Sequence, residues 1–241
     1  MATLAPFISK TDWFGLSDTS LVCISDSDGK SSQTAEAQGQ DGSVVAYNVY
    51  GETVSPSNEY RIKGDVSKAD GDIKLGDINV VDTLNICLNN ISINTSAGSA
   101  PTFSASGEQV EVNSANNCEY SIPAFSLSKK HHAQILFNAF TFTGDVHLQS
   151  AKYSITAEIS KAEKDGDCLA HDVVNGKITV DITFIQTGST KPVITAGTGW
   201  AITSALACEN PDSDWPSWTA TLTKYLAKDV AQTQTQGTEG E

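Results

Sequence analysis

Two neighbouring histidines, His131 and His132, have side chains that could bind a metal ion. A metal site needs several ligands directed at one ion. Adjacent side chains on a helix point about 100° apart, so two such imidazoles cannot face the same ion. The sequence therefore predicts no metal site at this pair.

A second set of reactive residue types lies at Cys168, His171 and Asp172. A thiol, an imidazole and a carboxylate can form a nucleophilic set when the base lies within hydrogen-bonding reach of the thiol. Here the residues fall on a predicted loop and strand, which fix no mutual geometry. A structural role is favoured over a catalytic one.

The stretch from Asp26 to Gly29 is similar to part of an EF-hand calcium loop. If Gly29 took the sixth position, the first and twelfth would be Ile24 and Ala35, and neither offers an oxygen ligand. The phosphate-binding loop, the nucleophile elbow and the zinc-protease motif are also missing. The sequence predicts no enzyme, with no catalytic residue, no metal ligand and no cofactor.

Composition narrows the class of protein further. The 241 residues carry a net charge of −14, with Arg61 as the single arginine. Arginine is the residue best suited to phosphate and base recognition, and a negative surface repels DNA. The composition therefore argues against a nucleic-acid-binding protein.

Membrane and secretion signals are not expected either. No apolar run approaches the roughly 20 residues that cross a bilayer, and Met1–Gly15 does not resemble a secretory signal. The five cysteines (Cys23, Cys87, Cys118, Cys168 and Cys208) form no close pair. We expect reduced thiols in a protein made in the cytosol.

The elements that would position these residues are mostly strands. Alternating or β-branched segments predict strands at 43–50, 60–66, 73–81 and 83–94. Residues 171–184 predict a hairpin with a type I′ turn at Asn175-Gly176. The strand after this turn is expected to pair with 153–160.

The sequence divides into three parts. Residues 1–40 are expected to form an N-terminal arm or loop, 41–228 a β-rich body, and 229–241 a disordered polar tail. Within the first part, the polar stretch 26–41 is interpreted as a long loop. Residues 98–105 are similar to 188–196, which raises the hypothesis of two related halves.

One segment departs from the strand pattern. Ser128 is a capping-type residue, and the residues after it show helical periodicity, which predicts an amphipathic helix near 129–140. A lone helix must bury its apolar stripe against the sheet. The stripe comprises Ile135, Leu136, Ala139 and Phe140.

Aromatic residues concentrate near the C-terminus, at Trp200, Trp215, Trp218 and Tyr225. Tryptophans beside an acidic loop could stack on sugar rings, or could lie in the core or at a subunit interface, where tryptophan is enriched. The sequence favours core or interface over sugar, and we take the four residues as interface candidates.

Taken together, residues 40–228 resemble a structural protein of a bacteriophage particle, most like a tail tube protein. The resemblance consists of an all-β body of many antiparallel strands, in a sandwich or barrel, with one mid-chain amphipathic helix and strong acidity. It implies a subunit that self-assembles into hexameric rings stacked around the DNA path, with an acidic lumen that DNA passes without specific binding. It also implies contacts with other tail proteins and a place in the virion after assembly in the host cytoplasm.

Two other classes share these features. A capsid decoration protein would have the same composition and bind a shell surface as a trimer or monomer. A carbohydrate-binding β-sandwich module would use Trp200, Trp215 and Trp218 as a stacking face.

Overall fold

The structure is a computed structural model, and it describes residues 10–38, 44–110, 119–164, 167–204, 206–211 and 213–229. The described residues form nineteen strands and no helix, so the chain is all-β as predicted. The strands are β1 (Leu21–Ser27), β2 (Ser31–Gln38), β3 (Val44–Thr53), β4 (Ser57–Ile62), β5 (Val66–Lys68), β6 (Lys74–Leu75), β7 (Ile78–Val81), β8 (Leu84–Ser96), β9 (Ser99–Gln109), β10 (Glu119–Ser121), β11 (Phe125–Leu127), β12 (Phe140–Thr143), β13 (Val146–Lys164), β14 (Asp167–Gln186), β15 (Val193–Ala196), β16 (Ala201–Ile202), β17 (Ala207–Glu209), β18 (Ser217–Tyr225) and β19 (Lys228–Asp229).

A ten-stranded antiparallel sheet organises the molecule, in the order β1-β4-β9-β8-β13-β14-β18-β16, with β7 joined to β8 and β17 to β18. Alternate side chains of a strand point to opposite faces, so each row of partners lies on one face. One such row contains Phe103, Ile93, Tyr153, Val180 and Leu222, all fully or almost fully buried. This row lies at the centre of the core.

Short strand pairs and loops form a second layer over this apolar face, which makes the arrangement sandwich-like. Phe142 of β12 packs on Phe184 with ring centroids 4.6 Å apart. Phe137, just before β12, meets Tyr153 at 5.6 Å. The second layer contains the small sheets β19-β10-β6, β11-β5 and β12-β15.

The predicted helix near 129–140 is wrong. The segment is an irregular chain whose backbone groups bond to the large sheet: the Gln134 N–H donates to Thr95 Oγ1, and the Leu136 N–H donates to the Tyr153 hydroxyl. Phe137 and Asn138 have φ of 57° and 49°, in the left-handed region that a right-handed helix excludes. Tertiary hydrogen bonds thus outcompete the helical ones.

The predicted turn at Asn175-Gly176 is also wrong, because these residues form a bulge inside β14. The register steps from Thr156↔Lys177 to Glu158↔Val174, and Asn175 takes the positive φ of 58°. Gly176 lies against the ring of Tyr120, where a Cβ atom would collide. The expected pairing with the later strand is confirmed for 153–156, which pair with 177–180, whereas 158–160 pair with 172–174, before the predicted turn.

Further expectations concern the N-terminal and C-terminal segments and the similarity between residues 98–105 and 188–196. Residues 31–38, interpreted as loop, form β2 and pair with β3. The tail from residue 230 onward lies outside the described residues. The two similar segments differ in setting, since β9 lies inside the large sheet while β15 pairs with β12 in a two-stranded one.

Candidate assembly surface

The face of the large sheet opposite the core is built from short hydroxyl and amide side chains, and we call it the hydroxyl face. Its central row runs Ser104, Ser92, Ser154, Thr179 and Thr223 across five neighbouring strands. The full set comprises Thr102, Ser104 and Ser106 of β9, Asn90, Ser92, Asn94 and Ser96 of β8, Ser150, Lys152, Ser154 and Thr156 of β13, Lys177, Thr179, Asp181 and Thr183 of β14, and Thr219, Thr221 and Thr223 of β18.

The hydroxyl face is close to neutral although the whole chain has a net charge of −14. Its charged members on the five central strands are Lys152, Lys177 and Asp181, and Lys152 lies directly opposite Asp181 in the ladder. On β4, Glu59 and Arg61 share this face, and Glu59 is the partner of Ser104. The Thr221 hydroxyl donates to Asp181 Oδ1 at 2.7 Å. The surface therefore offers a ligand many weak hydrogen-bonding groups and little net charge.

Local segments hydrogen-bond to backbone groups near both edges of the large sheet. Along β1, the Asp18 N–H donates to the Leu21 carbonyl at 2.7 Å. Along β18, the Thr203 N–H donates to the Thr221 carbonyl, and Ser204 Oγ accepts from the Thr221 N–H. A covered edge resists uncontrolled pairing between sheets.

Polar side chains hold the segment that precedes β1. Asn58, only 2% exposed, accepts from the Trp13 N–H and donates to the Thr11 carbonyl, both at 2.8 Å. The Tyr60 hydroxyl donates to Asp12 Oδ1 at 2.7 Å. Burial would raise the pKa of Asp12, but the hydrogen bonds from Ser17 and Tyr60 outweigh it and lower the pKa.

Beyond their ladders with β8 and β18, β13 and β14 continue as a two-stranded segment, residues 158–164 and 167–174, which we call the ribbon. Pairing of β13 with β8 ends at Thr156, and pairing of β14 with β18 begins at Lys177. Within the described residues the ribbon strands pair only with each other, as far as Lys164↔Asp167. The ribbon therefore extends beyond the ladders that join β13 to β8 and β14 to β18.

The four aromatic interface candidates do not form one surface. Trp200 and Trp218 are 7% and 8% exposed and belong to the core, whereas Trp215 and Tyr225 are 57% and 75% exposed. Tyr225 ends β18, while Trp215 precedes its first residue. A stacking platform made of Trp200, Trp215 and Trp218 is therefore not available.

The four residues of the expected helical stripe also differ in burial. Leu136, Ala139 and Phe140 are at most 2% exposed, and Ile135 is 43% exposed. Ile135 lines a groove of about 380 Å³ between β5, β11 and the 135–138 segment. The groove contains no histidine, cysteine or carboxylate, so its lining offers no acid–base pair.

Reactive side chains are not gathered into a site in the described part of the chain. No group of three metal-binding side chains occurs there, and His131 and His132 are both exposed. His171 is buried, while the Cys168 side chain lies outside the described residues.

The cysteines that the structure describes are single thiols. Cys23, Cys87 and Cys208 are free, and Cys118 lies outside the described residues. Burial, with Glu108 nearby, raises the pKa of Cys87 to about 12. The described residues also contain no helix that could cross a membrane.

The sequence shows individual strips of the hydroxyl face, such as the polar residues that alternate with apolar ones in 177–183, but not that they lie side by side. The signal was present in the alternation of β8 and β9, where Asn90, Ser92, Ser104 and Ser106 alternate with apolar residues. Joining these strips requires the register, because partners such as Ser92 and Ser154 are distant in sequence.

Comparison with protein-family models found no match, and comparison with curated protein sequences found none either.

Proposed function

We propose that the chain is a non-enzymatic structural subunit of a bacteriophage particle, most like a tail tube protein, which assembles with copies of itself into rings. In this proposal the rings stack around the path of double-stranded DNA, contact other tail proteins, and form in the host cytoplasm before residing in the virion. The observation that best supports it is the hydroxyl face, a broad and nearly neutral sheet surface.

The chemistry of this face suits a surface past which DNA slides. Affinity for DNA arises mainly when lysine and arginine neutralise phosphates and release counterions. On the hydroxyl face, Lys152 lies opposite Asp181, and the neighbouring rows are Ser, Thr and Asn. We therefore assign the hydroxyl face to the lumen, where a nearly neutral surface would attract DNA phosphates only weakly while the acidity of the whole chain repels them.

The ribbon supports the assembly part of the proposal. A closed ring needs two different complementary surfaces on each subunit. Local segments bond to backbone groups near both edges of the large sheet, while the ribbon extends beyond the ladders that join β13 to β8 and β14 to β18. We assign the ribbon to contacts between copies.

Electron microscopy and sedimentation of the purified full chain test the assembly. Rings or tubes support the proposal, isolated trimers support a capsid decoration protein, and a 25.5 kDa monomer at every concentration contradicts self-assembly. A monomer retained on a polysaccharide column would instead support a sugar-binding module.

Introducing a lysine tests whether the hydroxyl face lines the lumen. We expect no measurable DNA binding by the native protein at about 50 mM salt. The variant Ser154→Lys should make assembled tubes retain DNA, since this residue lies in the central row. Val80→Lys, at a residue 64% exposed on β7, is the matched control. Equal DNA retention by both variants would contradict the assignment.

A further inference from the structure

Three side chains of complementary chemistry meet where the ribbon leaves the large sheet. Lys161 lies on β13, Glu108 on β9 and Asn89 on β8. The Lys161 Nζ is 2.9 Å from Glu108 Oε2, and the Asn89 Nδ2 donates to Glu108 Oε1 at 3.3 Å. One carboxylate therefore holds a primary amine on one oxygen and a carboxamide on the other.

The backbone explains why Asn89 reaches this position. The register of β8 with β9 shifts between Leu88↔Gly107 and Asn90↔Ser106, so Asn89 is the extra residue of a β-bulge. Bulges redirect a side chain out of the ordinary alternation. The strand partner of Glu108 is Cys87, which is fully buried.

The surroundings place a base next to a largely buried amine. The Lys161 side chain is 15% exposed, and the Glu108 side chain is 38% exposed. A lysine amine becomes nucleophilic when it is desolvated and a neighbouring base takes its proton. Glu108 is such a base, in direct contact with the Lys161 amine.

We propose that Lys161 and Asn89 join in an intramolecular isopeptide bond, with Glu108 transferring the proton. Glu108 takes a proton from the Lys161 ammonium, and the free Nζ attacks Asn89 Cγ. The new Nζ–Cγ bond forms as the Cγ–Nδ2 bond breaks. The two protons lost by Nζ pass through Glu108 to the departing NH2 group, which leaves as ammonium, and Glu108 returns to its carboxylate form. No oxidant, reductant or further reactant is needed.

The bond would link β8 covalently to β13 at the base of the ribbon. It would close a long loop of chain between residues 89 and 161, and such closure restricts the unfolded ensemble. The inference depends on these three residues alone and is independent of the proposed function.

Intact mass spectrometry and peptide mapping of the purified full chain test the bond. The protein should be lighter than its sequence mass by one ammonia molecule. Trypsin should not cleave after Lys161, and fragmentation should show a branched peptide that joins the segments containing Lys161 and Asn89. The branched peptide distinguishes the bond from loss of ammonia within the Asn175-Gly176 pair.

Variants test the role of each group. Glu108→Gln keeps the shape of the side chain but cannot take the proton, so it should leave Lys161 open to trypsin, as should Asn89→Ala. Lys152→Arg, a change of another β13 lysine outside this cluster, should still yield the branched peptide. A native protein of full mass whose Lys161 is cleaved by trypsin, even after days at pH 8, would overturn the proposal.

Discussion

The hydroxyl oxygen of Tyr153, on the central strand β13, accepts a hydrogen bond from the backbone N–H of Leu136 at 2.9 Å. The same hydroxyl donates to the Gln134 carbonyl at 3.0 Å. Tyr153 is fully buried, and burial raises its pKa well above the ordinary value, so the hydroxyl stays protonated and can donate. One phenol thus replaces the helical hydrogen bonds that this segment does not make.

Replacing Tyr153 with phenylalanine should destabilise the protein. The Leu136 N–H and the Gln134 carbonyl would lose their partner, and a buried unsatisfied group costs about 1–3 kcal/mol. Urea unfolding should show a lower midpoint with an unchanged slope. Tyr225→Phe, at a residue 75% exposed, is the control and should unfold like the native protein. Equal midpoints for the two variants would show that the Tyr153 hydroxyl does not hold the segment.

The buried thiol of Cys87 should resist alkylation. Its pKa is raised to about 12 by burial, with a contribution from Glu108, so very little thiolate exists at pH 8. Native protein should label at Cys208 first, and Cys87 should label only after denaturation. Mass spectrometry of the labelled peptides measures the extent of labelling at Cys208 and at Cys87. Labelling of Cys87 at the rate of Cys208 in native protein would contradict the burial.

The loss of folding stability at low pH should depend on Asp12. Its folded pKa lies below the ordinary value of 3.8 because the hydrogen bonds from Ser17 and Tyr60 outweigh the effect of burial. The stabilisation is therefore present above pH 3.8 and is lost as pH falls through the lower folded value. Unfolding of native protein and Asp12→Asn should differ most near neutral pH and converge at about pH 2. A difference independent of pH would show that the charge of Asp12 does not contribute.

Replacing Trp218 or Trp215 with alanine should distinguish an effect on folding stability from an effect on assembly. Trp218→Ala removes a core side chain that is 8% exposed and should cost about 3–5 kcal/mol. Trp215→Ala removes one that is 57% exposed, so the stability should change by less than about 0.5 kcal/mol. If Trp215 lies between copies, its replacement should reduce sedimenting assemblies while the thermal midpoint stays constant. Unchanged assembly with Trp215→Ala would remove it from the interface.

The strands could be predicted because their signal is local. In 178–184, apolar residues alternate with polar ones, and the structure buries Ile178, Val180, Ile182 and Phe184. The same local reasoning failed at Asn175-Gly176. Its turn chemistry is equally compatible with a bulge, and only the pairing of β13 with β14 shows that the chain continues straight through.

The helix prediction failed for a related reason. The spacing of Leu136, Ala139 and Phe140 correctly indicated burial. It could not show that Thr95 and Tyr153 would capture the backbone of the segment, because these partners come from strands remote in sequence. The hydroxyl face and the contact of Lys161 with Glu108 were missed likewise, since both depend on register between strands.

The exceptional length of β13, from Val146 to Lys164, has a mechanical consequence. It is flanked by antiparallel ladders to β8 and β14, whose hydrogen bonds run perpendicular to the strand. A force along the strand axis loads many of these bonds in shear at the same moment. A force that separates the ribbon strands at their far end breaks the bonds one pair at a time. The molecule should therefore be stiff under tension along β13 and easily unzipped from the ribbon.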